Sequence, residues 1–230
     1  MGSNYSAKYN VDIVMCIDAT ASMGPLLKLV KANALSFYQD FINEMSKKDK
    51  RPNQVRVRVI AFRDYLADGK DAMLLSPFFN LPEQSAEFEQ LVKSIQPKGG
   101  GDDPEDGLEA LGYAIRSKWD RTEGVKHRHV IVIWSDDATH DLGFGRGAEN
   151  YPSKMARDFS ELSAWWGVGQ SGDSVMDRTF KRLLIYAPPK ESWTTIAETW
   201  DNTLLFPSEA AKGLDEVTYN QILDAIAQSI

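Results

Sequence analysis

The chain has 230 residues, 43% of them hydrophobic and 10% aromatic, which is enough for one sizeable core. Its net charge of −7 is spread without long like-charge blocks, which argues against nucleic-acid and anionic membrane partners. Met1–Tyr9 lacks the apolar core of a signal peptide, and no apolar stretch reaches the ~20 residues that span a bilayer. We therefore expect a soluble, cytoplasmic protein. Cys16 is the only cysteine, so no disulfide can form within the chain.

The first informative stretch is a Val- and Ile-rich run, residues 11–24, that ends in oxygen-bearing side chains. The run predicts a strand buried on both faces of a parallel sheet. Because alternate side chains leave an extended strand on one side, Asp18, Thr20 and Ser22 converge at its carboxyl end. Open α/β sheets bind ligands there. Carboxylate and hydroxyl oxygens suit Mg²⁺, Ca²⁺ or Mn²⁺ better than zinc.

The next segment predicts one long amphipathic helix over Met23–Met45. Ser22 is a candidate N-cap for this helix, and Pro25 lies in its first turn, where the missing N–H is tolerated. A strand over Gln54–Phe62 follows. The polar segment directly after this strand, residues 63–65, is interpreted as a solvated strand end rather than as the rim of a site.

A short strand is predicted over Ala72–Phe79. Because only a brief link separates it from the strand over Gln54–Phe62, the two are expected to form an antiparallel hairpin. Pro77 in the middle of the short strand favours a position at the sheet edge, because proline has no N–H to donate to a strand ladder. A helix is predicted over Glu83–Ile95. The third strand therefore closes one edge of the sheet.

A glycine-rich loop, Gly99–Gly101, forms the second informative stretch and leads into Asp102 and Asp103. The glycines permit close backbone approach, and Pro104 predicts the start of a helix that extends to Trp119. Acidic residues at a helix start also complement the helix dipole, which explains Asp103 and Glu105 equally well. Asp102 directly follows the glycines and is the stronger candidate for a site.

A central strand over His127–Ser135 also ends in carboxylates, the first of which is Asp136. Two buried strands and one glycine loop thus deliver acidic or hydroxyl side chains where a doubly wound sheet opens, which suggests a metal site. His127 and His129 lie at the entry to the strand and are interpreted as structural. His140 lies closer to the predicted site and stays a candidate.

Residues 141–178 are the least regular part of the chain, and we expect a surface elaboration with a helix around Ser153–Trp166. Its adjacent tryptophans are expected to pack onto the domain. The remaining predicted elements are a strand over Lys181–Ala187, a helix over Glu191–Trp200, a strand over Asn202–Phe206 and a helix over Leu214–Ile230. This alternation predicts an N-terminal tail over residues 1–10, whose start resembles a cloning remnant, and one doubly wound α/β domain over 11–230.

The order Asp18-x-Thr20-x-Ser22, glycine loop and Asp136 resembles the von Willebrand factor A domain and its metal-ion-dependent adhesion site. The usual family motif is Asp-x-Ser-x-Ser with a Thr from the second loop. Here Thr20 keeps the hydroxyl, whereas Asp102 stands in place of that Thr. The form of the glycine loop is similar to that of intracellular bacterial and kinase-associated members.

The resemblance implies a Rossmann-like, mostly parallel sheet with one antiparallel edge strand and helices on both faces. It implies one divalent cation, chiefly Mg²⁺, held by the hydroxyls of Thr20 and Ser22. Three carboxylates would bind it directly or through water: Asp18, Asp102 and Asp136. The implied function is a non-enzymatic adaptor whose cation accepts a carboxylate of another protein, with a last helix that shifts in some family members.

A divalent-metal-dependent hydrolase acting on a phosphorylated substrate is the alternative. The sequence has no phosphate-binding Gly-x-x-x-x-Gly-Lys-Ser/Thr loop and no serine nucleophile elbow. It also offers no evident general base beyond the expected ligands. These features favour the interaction module.

Overall fold

A six-stranded sheet in the order β3-β2-β1-β4-β5-β6 forms the centre of the protein. The structure is a computed structural model that describes residues 9–101, 104–169, 172 and 174–230. The strands are β1 (Tyr9–Asp18), β2 (Pro52–Phe62), β3 (Met73–Leu81), β4 (Lys126–Trp134), β5 (Lys181–Ala187) and β6 (Thr203–Pro207). All neighbours pair in parallel except β2 and β3, which are antiparallel. This topology confirms the predicted fold class.

Strand β1 is buried on both faces, as its continuous apolar run predicts. It pairs with β4 from Tyr9–Lys126 to Ile17–Trp134 without interruption. Asp12, a carboxylate in the middle of this strand, is neutralised by two hydrogen bonds from the guanidinium of Arg56, at 2.6 and 2.7 Å. The register with β4 thus extends to the carboxyl ends of both strands.

The edge strand β3 carries Pro77 next to a register shift between Arg58 and Ile60 of β2. Proline removes a ladder donor, and a bulge is one of the few places in a sheet that tolerates this loss. The Oγ of Ser76 accepts a hydrogen bond from the N–H of Val59 at 2.8 Å, so this donor is satisfied at the irregularity. The antiparallel edge position predicted for this strand is confirmed.

Helices cover both faces of the sheet. They are α1 (Gly24–Asn33), α2 (Phe37–Lys47), α3 (Tyr65–Asp68), α4 (Ser85–Ser94), α5 (Gly107–Ile115), α6 (Phe159–Trp166), α7 (Glu191–Thr199) and α8 (Tyr219–Ser229). Helices α1, α2, α4 and α8 share one core layer, and α5, α6 and α7 share the other. None of the helices within the described ranges is long and apolar enough to cross a membrane.

The single long helix predicted over Met23–Met45 is wrong, because α1 and α2 are separate. Near the break, the side chain of Asn33 donates to the carbonyl of Leu29 at 2.8 Å, and Ser36 Oγ donates to the carbonyl of Asn33 at 3.3 Å. Such bonds compete with the helical ladder. The N-cap role predicted for Ser22 is also wrong, because this residue lies within a short 3₁₀ turn that precedes α1.

Helix α5 begins at Gly107 rather than at Pro104, and it ends before Trp119. Glu105 forms a parallel bridge with Thr139, so its backbone is extended and cannot start a helix. Helix α8 similarly begins at Tyr219 rather than Leu214, because a capping box formed by Thr218 and Gln221 sets its start. Long-range pairing and side-chain caps therefore decide these boundaries.

Helix α6 covers only the second half of the helix predicted over Ser153–Trp166. Asp158 sets its start, because its carboxylate accepts the N–H of Glu161 at 2.9 Å. Trp165 and Trp166 are buried against the rest of the protein, as predicted. The elaboration therefore packs onto the core layer that contains α5 and α7.

Candidate metal site

Four of the five predicted ligands lie together where β1 and β4 end. Thr20 Oγ1 donates to Asp18 Oδ1 at 2.6 Å, and Ser22 Oγ donates to Asp136 Oδ1 at 3.1 Å. The two hydroxyl oxygens are 3.3 Å apart. The fifth predicted ligand, Asp102, lies outside the described residues. Ser22 is exposed and the other three are buried, so the group opens to solvent on the side of Ser22.

Both carboxylates are oriented by further hydrogen bonds. Asp18 Oδ2 accepts the hydroxyl of Ser135 at 3.2 Å, and Asp136 Oδ2 accepts the N–H of Gly213 at 2.9 Å. Gly213 has a φ of +60°, and a Cβ at this position would lie 2.2 Å from the carbonyl oxygen of Ser22. Only glycine fits there. The segment before α8 is thereby anchored to the candidate site.

The carboxyl groups around these hydroxyls are costly to ionise. Burial raises the pKa of Asp18 to about 7, with a further contribution from Asp136 and opposition from the hydrogen bonds of Thr20 and Ser135. Burial likewise raises the pKa of Asp136. Burial also raises the pKa of Glu105 to about 9, and repulsion from surrounding carboxylates, Asp18 foremost, adds to the shift. A nearby positive charge would favour the ionised forms of these groups.

The donor set fits a hard divalent cation. Two neighbouring ligands of an octahedral Mg²⁺, each at 2.0–2.1 Å, are about 3 Å apart, close to the 3.3 Å between the hydroxyl oxygens of Thr20 and Ser22. In the part of the chain that the structure describes, no group of three or more His, Cys, Asp or Glu is arranged to hold a metal. The candidate site instead combines two hydroxyls with two carboxylates. Its ligand roles stay predictions.

Residues 13–138 match the family model of the von Willebrand factor type A domain. The chain belongs to this family. The matched range begins within β1 and ends just beyond Asp136, so it spans every predicted ligand of the metal site. No curated protein matches the chain.

Several solved structures are similar to this von Willebrand factor type A domain at low identity. A von Willebrand factor type A protein from Catenulispora acidiphila is 13% identical with a TM-score of 0.51, covering 97% of this chain and 43% of that one. Proximal thread matrix protein 1 from the mussel byssus is 13% identical with a TM-score of 0.46, covering 96% and 46%. The pilus adhesin SpaC from Lactobacillus rhamnosus GG, in its open conformation, is 15% identical with a TM-score of 0.49, covering 96% and 30%. The chain therefore spans less than half the length of each.

The segment that follows β2 is buried, so the predicted solvated strand end is wrong. The guanidinium of Arg63 donates hydrogen bonds of 2.7–3.0 Å to four backbone carbonyls, those of Ala19, Lys98, Asp71 and Gln96. Ala19 lies between two candidate ligands, and Lys98 directly precedes the glycine loop. This arginine therefore ties the loops around the candidate site together. The sequence feature that could have indicated the burial of Arg63 is its position directly after a buried strand.

Asp64, also buried, joins two further loops. Its Oδ1 accepts the N–H of Leu66 and of Ala67 at the start of α3, and its Oδ2 lies 3.3 Å from Nε2 of His140. The ring of His140 stacks on that of Phe144 with centroids 3.9 Å apart. These contacts give His140 a packing role.

The other two histidines lie at the amino-terminal end of β4, at the opposite end of that strand from Asp136. His127 Nε2 is 2.8 Å from the carbonyl of Thr122, and His129 Nε2 is 2.8 Å from that of Asp120. Both rings are buried. The structural interpretation of this pair therefore agrees with its contacts.

We predict that Arg63→Lys lowers the free energy of unfolding by about 2 kcal/mol or more, because an ammonium cannot reach four carbonyls at once and leaves buried acceptors unpaired. Urea denaturation followed by circular dichroism measures the change. Arg51→Lys, at an exposed position, is the matched control and should leave the midpoint unchanged. Equal midpoints for the two variants would contradict the role assigned to Arg63.

We predict that Glu105→Gln stabilises the protein more at pH 8 than at pH 5. The folded-state pKa of Glu105, about 9, exceeds its ordinary value of 4.5, so between these values the folded state keeps a proton that the unfolded state releases. Stability contributed by the neutral group is therefore lost as pH rises, and glutamine does not suffer this loss. Urea titrations in chelator at both pH values measure it, with the exposed Glu83→Gln as control. A difference between the variant and the parent that does not change with pH would contradict the assignment.

Proposed function

We propose that this von Willebrand factor type A domain is a metal-dependent protein-interaction module. Asp18, Thr20, Ser22 and Asp136, together with Asp102, would hold one divalent cation, with Mg²⁺ favoured over Mn²⁺ or Ca²⁺. The observation that supports this proposal most directly is the pair of adjacent hydroxyls, 3.3 Å apart, each hydrogen-bonded to its own buried carboxylate.

The carboxylates orient the hydroxyls for this role. Because Asp18 and Asp136 accept the hydroxyl protons, the lone pairs of Thr20 and Ser22 are free to face a ligand. Ser135 and Gly213 hold the second oxygen of each carboxylate, which keeps the arrangement rigid. The chain's own residues thus supply orientation and negative charge.

The partner in this proposal is another protein that presents an Asp or Glu side chain on the exposed side of the site. A bound divalent cation supplies a positive charge and a coordination position for that carboxylate. Asp102 works against the capture of an acidic partner, because three carboxylates around one divalent cation leave a net negative charge. Cation binding and carboxylate capture are therefore separate predictions. A bacterial, cytoplasmic adaptor is the setting we propose, on the resemblance of the glycine loop to that of intracellular members.

We predict that Asp18→Asn combined with Ser22→Ala weakens Mg²⁺ binding at least about tenfold, because the pair removes one charge and one hydroxyl donor. Isothermal titration calorimetry on the chelator-treated protein measures the affinity. Glu83→Gln combined with Ser94→Ala makes the same chemical changes at exposed positions and should bind like the parent. Unchanged affinity in the first variant, with an unchanged circular dichroism spectrum, would contradict the site.

The alternative, a metal-dependent hydrolase, makes a different prediction for the same variants. Mg²⁺-dependent turnover of p-nitrophenyl phosphate by the parent, lost in Asp18→Asn with Ser22→Ala and kept in the control, would favour it. An interaction module instead gives no turnover above the control reaction without protein.

A further inference from the structure

A groove of about 650 Å³ lies beside the candidate metal site, and we call it the α7 groove. It lies between the loop that follows β4, the start of α6 and the first turns of α7. Its apolar floor is formed by Leu108, Ala138, Leu142 and Phe159. Ala138 follows Asp136 by two residues, so one loop lines both the groove and the candidate site.

The floor suits an apolar side chain from a partner. Leu142 and Phe159 are partly buried against the core layer of α5, α6 and α7, so their positions are supported from below. Leu108 lies beneath them in the first turn of α5 and is almost fully buried. Protein ligand sites commonly have volumes of ~300–1,000 Å³, an apolar lining and a few polar groups. The α7 groove has this character.

The rim carries a negative charge. Three of its side chains are exposed carboxylates, those of Asp141, Asp158 and Glu191. Lys190 is the single cation that lines the groove among the described residues, and its Nζ is 3.7 Å from a carboxylate oxygen of Asp137. The net charge of −7 of the whole chain adds to this field.

The helix ends at the groove do not reverse this charge. Asp158 caps α6, since its carboxylate accepts the N–H of Glu161 at 2.9 Å, and Glu191 lies in the first turn of α7. Each carboxylate thus offsets the positive end of the helix dipole beside it. A cationic group is the complementary occupant of the rim.

We propose that the α7 groove binds a segment of a partner protein in which a large apolar side chain adjoins a Lys or Arg. The apolar side chain contacts the floor, and the basic group faces Asp141 and Glu191. This binding requires no metal and uses none of the predicted ligands, so it is independent of the proposed function.

The test is selection of random dodecapeptides displayed on phage against the immobilised protein in EDTA. The expected result is enrichment of sequences that place Lys or Arg next to Leu, Ile, Phe, Met or Trp. The affinity of the most enriched peptide is then measured by fluorescence anisotropy. Asp141→Asn with Glu191→Gln should weaken it at least about threefold, because two rim charges are lost.

The matched control is Asp49→Asn with Glu83→Gln, which removes two exposed carboxylates at the opposite end of the sheet and should leave the affinity unchanged. Absence of enrichment, enrichment of acidic sequences, or equal weakening in both variants would overturn the proposal. A second selection in Mg²⁺ distinguishes binding at the α7 groove from carboxylate capture at the metal site. Enrichment of acidic residues there, lost in Asp18→Asn with Ser22→Ala, concerns the metal site alone.

Discussion

The parallel pairing of β1 with β4 is the constraint on which the candidate site depends. Because this pairing continues to Ile17 and Trp134, the next residues of both strands emerge side by side at one edge of the sheet. Asp18 and Asp136 are brought together by the burial of two apolar strands rather than by any attraction between the carboxylates themselves. The free energy that holds these two carboxyl groups close therefore comes from the core.

The loops above the sheet need a second source of order, because they lack the ladder partners that strands have. Arg63 provides it by donating to four carbonyls from three separate segments of the chain. Asp64, its neighbour, accepts the N–H groups of Leu66 and Ala67 in α3 and pairs with His140. A cation and an anion in adjacent positions after β2 thus meet complementary backbone groups, acceptors for Arg63 and donors for Asp64. This arrangement explains how both remain buried.

The strands were predictable because burial on both faces of a sheet demands a continuous apolar run, as in β1, β4 and β5. The edge position of β3 followed from Pro77. The predicted helix starts were wrong where a long-range or side-chain contact fixes the backbone conformation. Glu105, for example, bridges to Thr139, and Thr218 caps α8. The burial of Arg63 was missed because a charged residue after a strand usually meets water, and its acceptors are distant in the chain. The gathering of Asp18, Thr20, Ser22 and Asp136 agrees with the expectation from the strand ends.

Gly213 also bears on how this domain can evolve. A side chain at this position would meet the backbone of the loop that carries Ser22, and a rotamer change cannot relieve a clash with main-chain atoms. Mutation at this position is therefore coupled to change in a loop near the other end of the chain. Drift in the segment before α8 is restricted even though that segment contributes none of the predicted ligands.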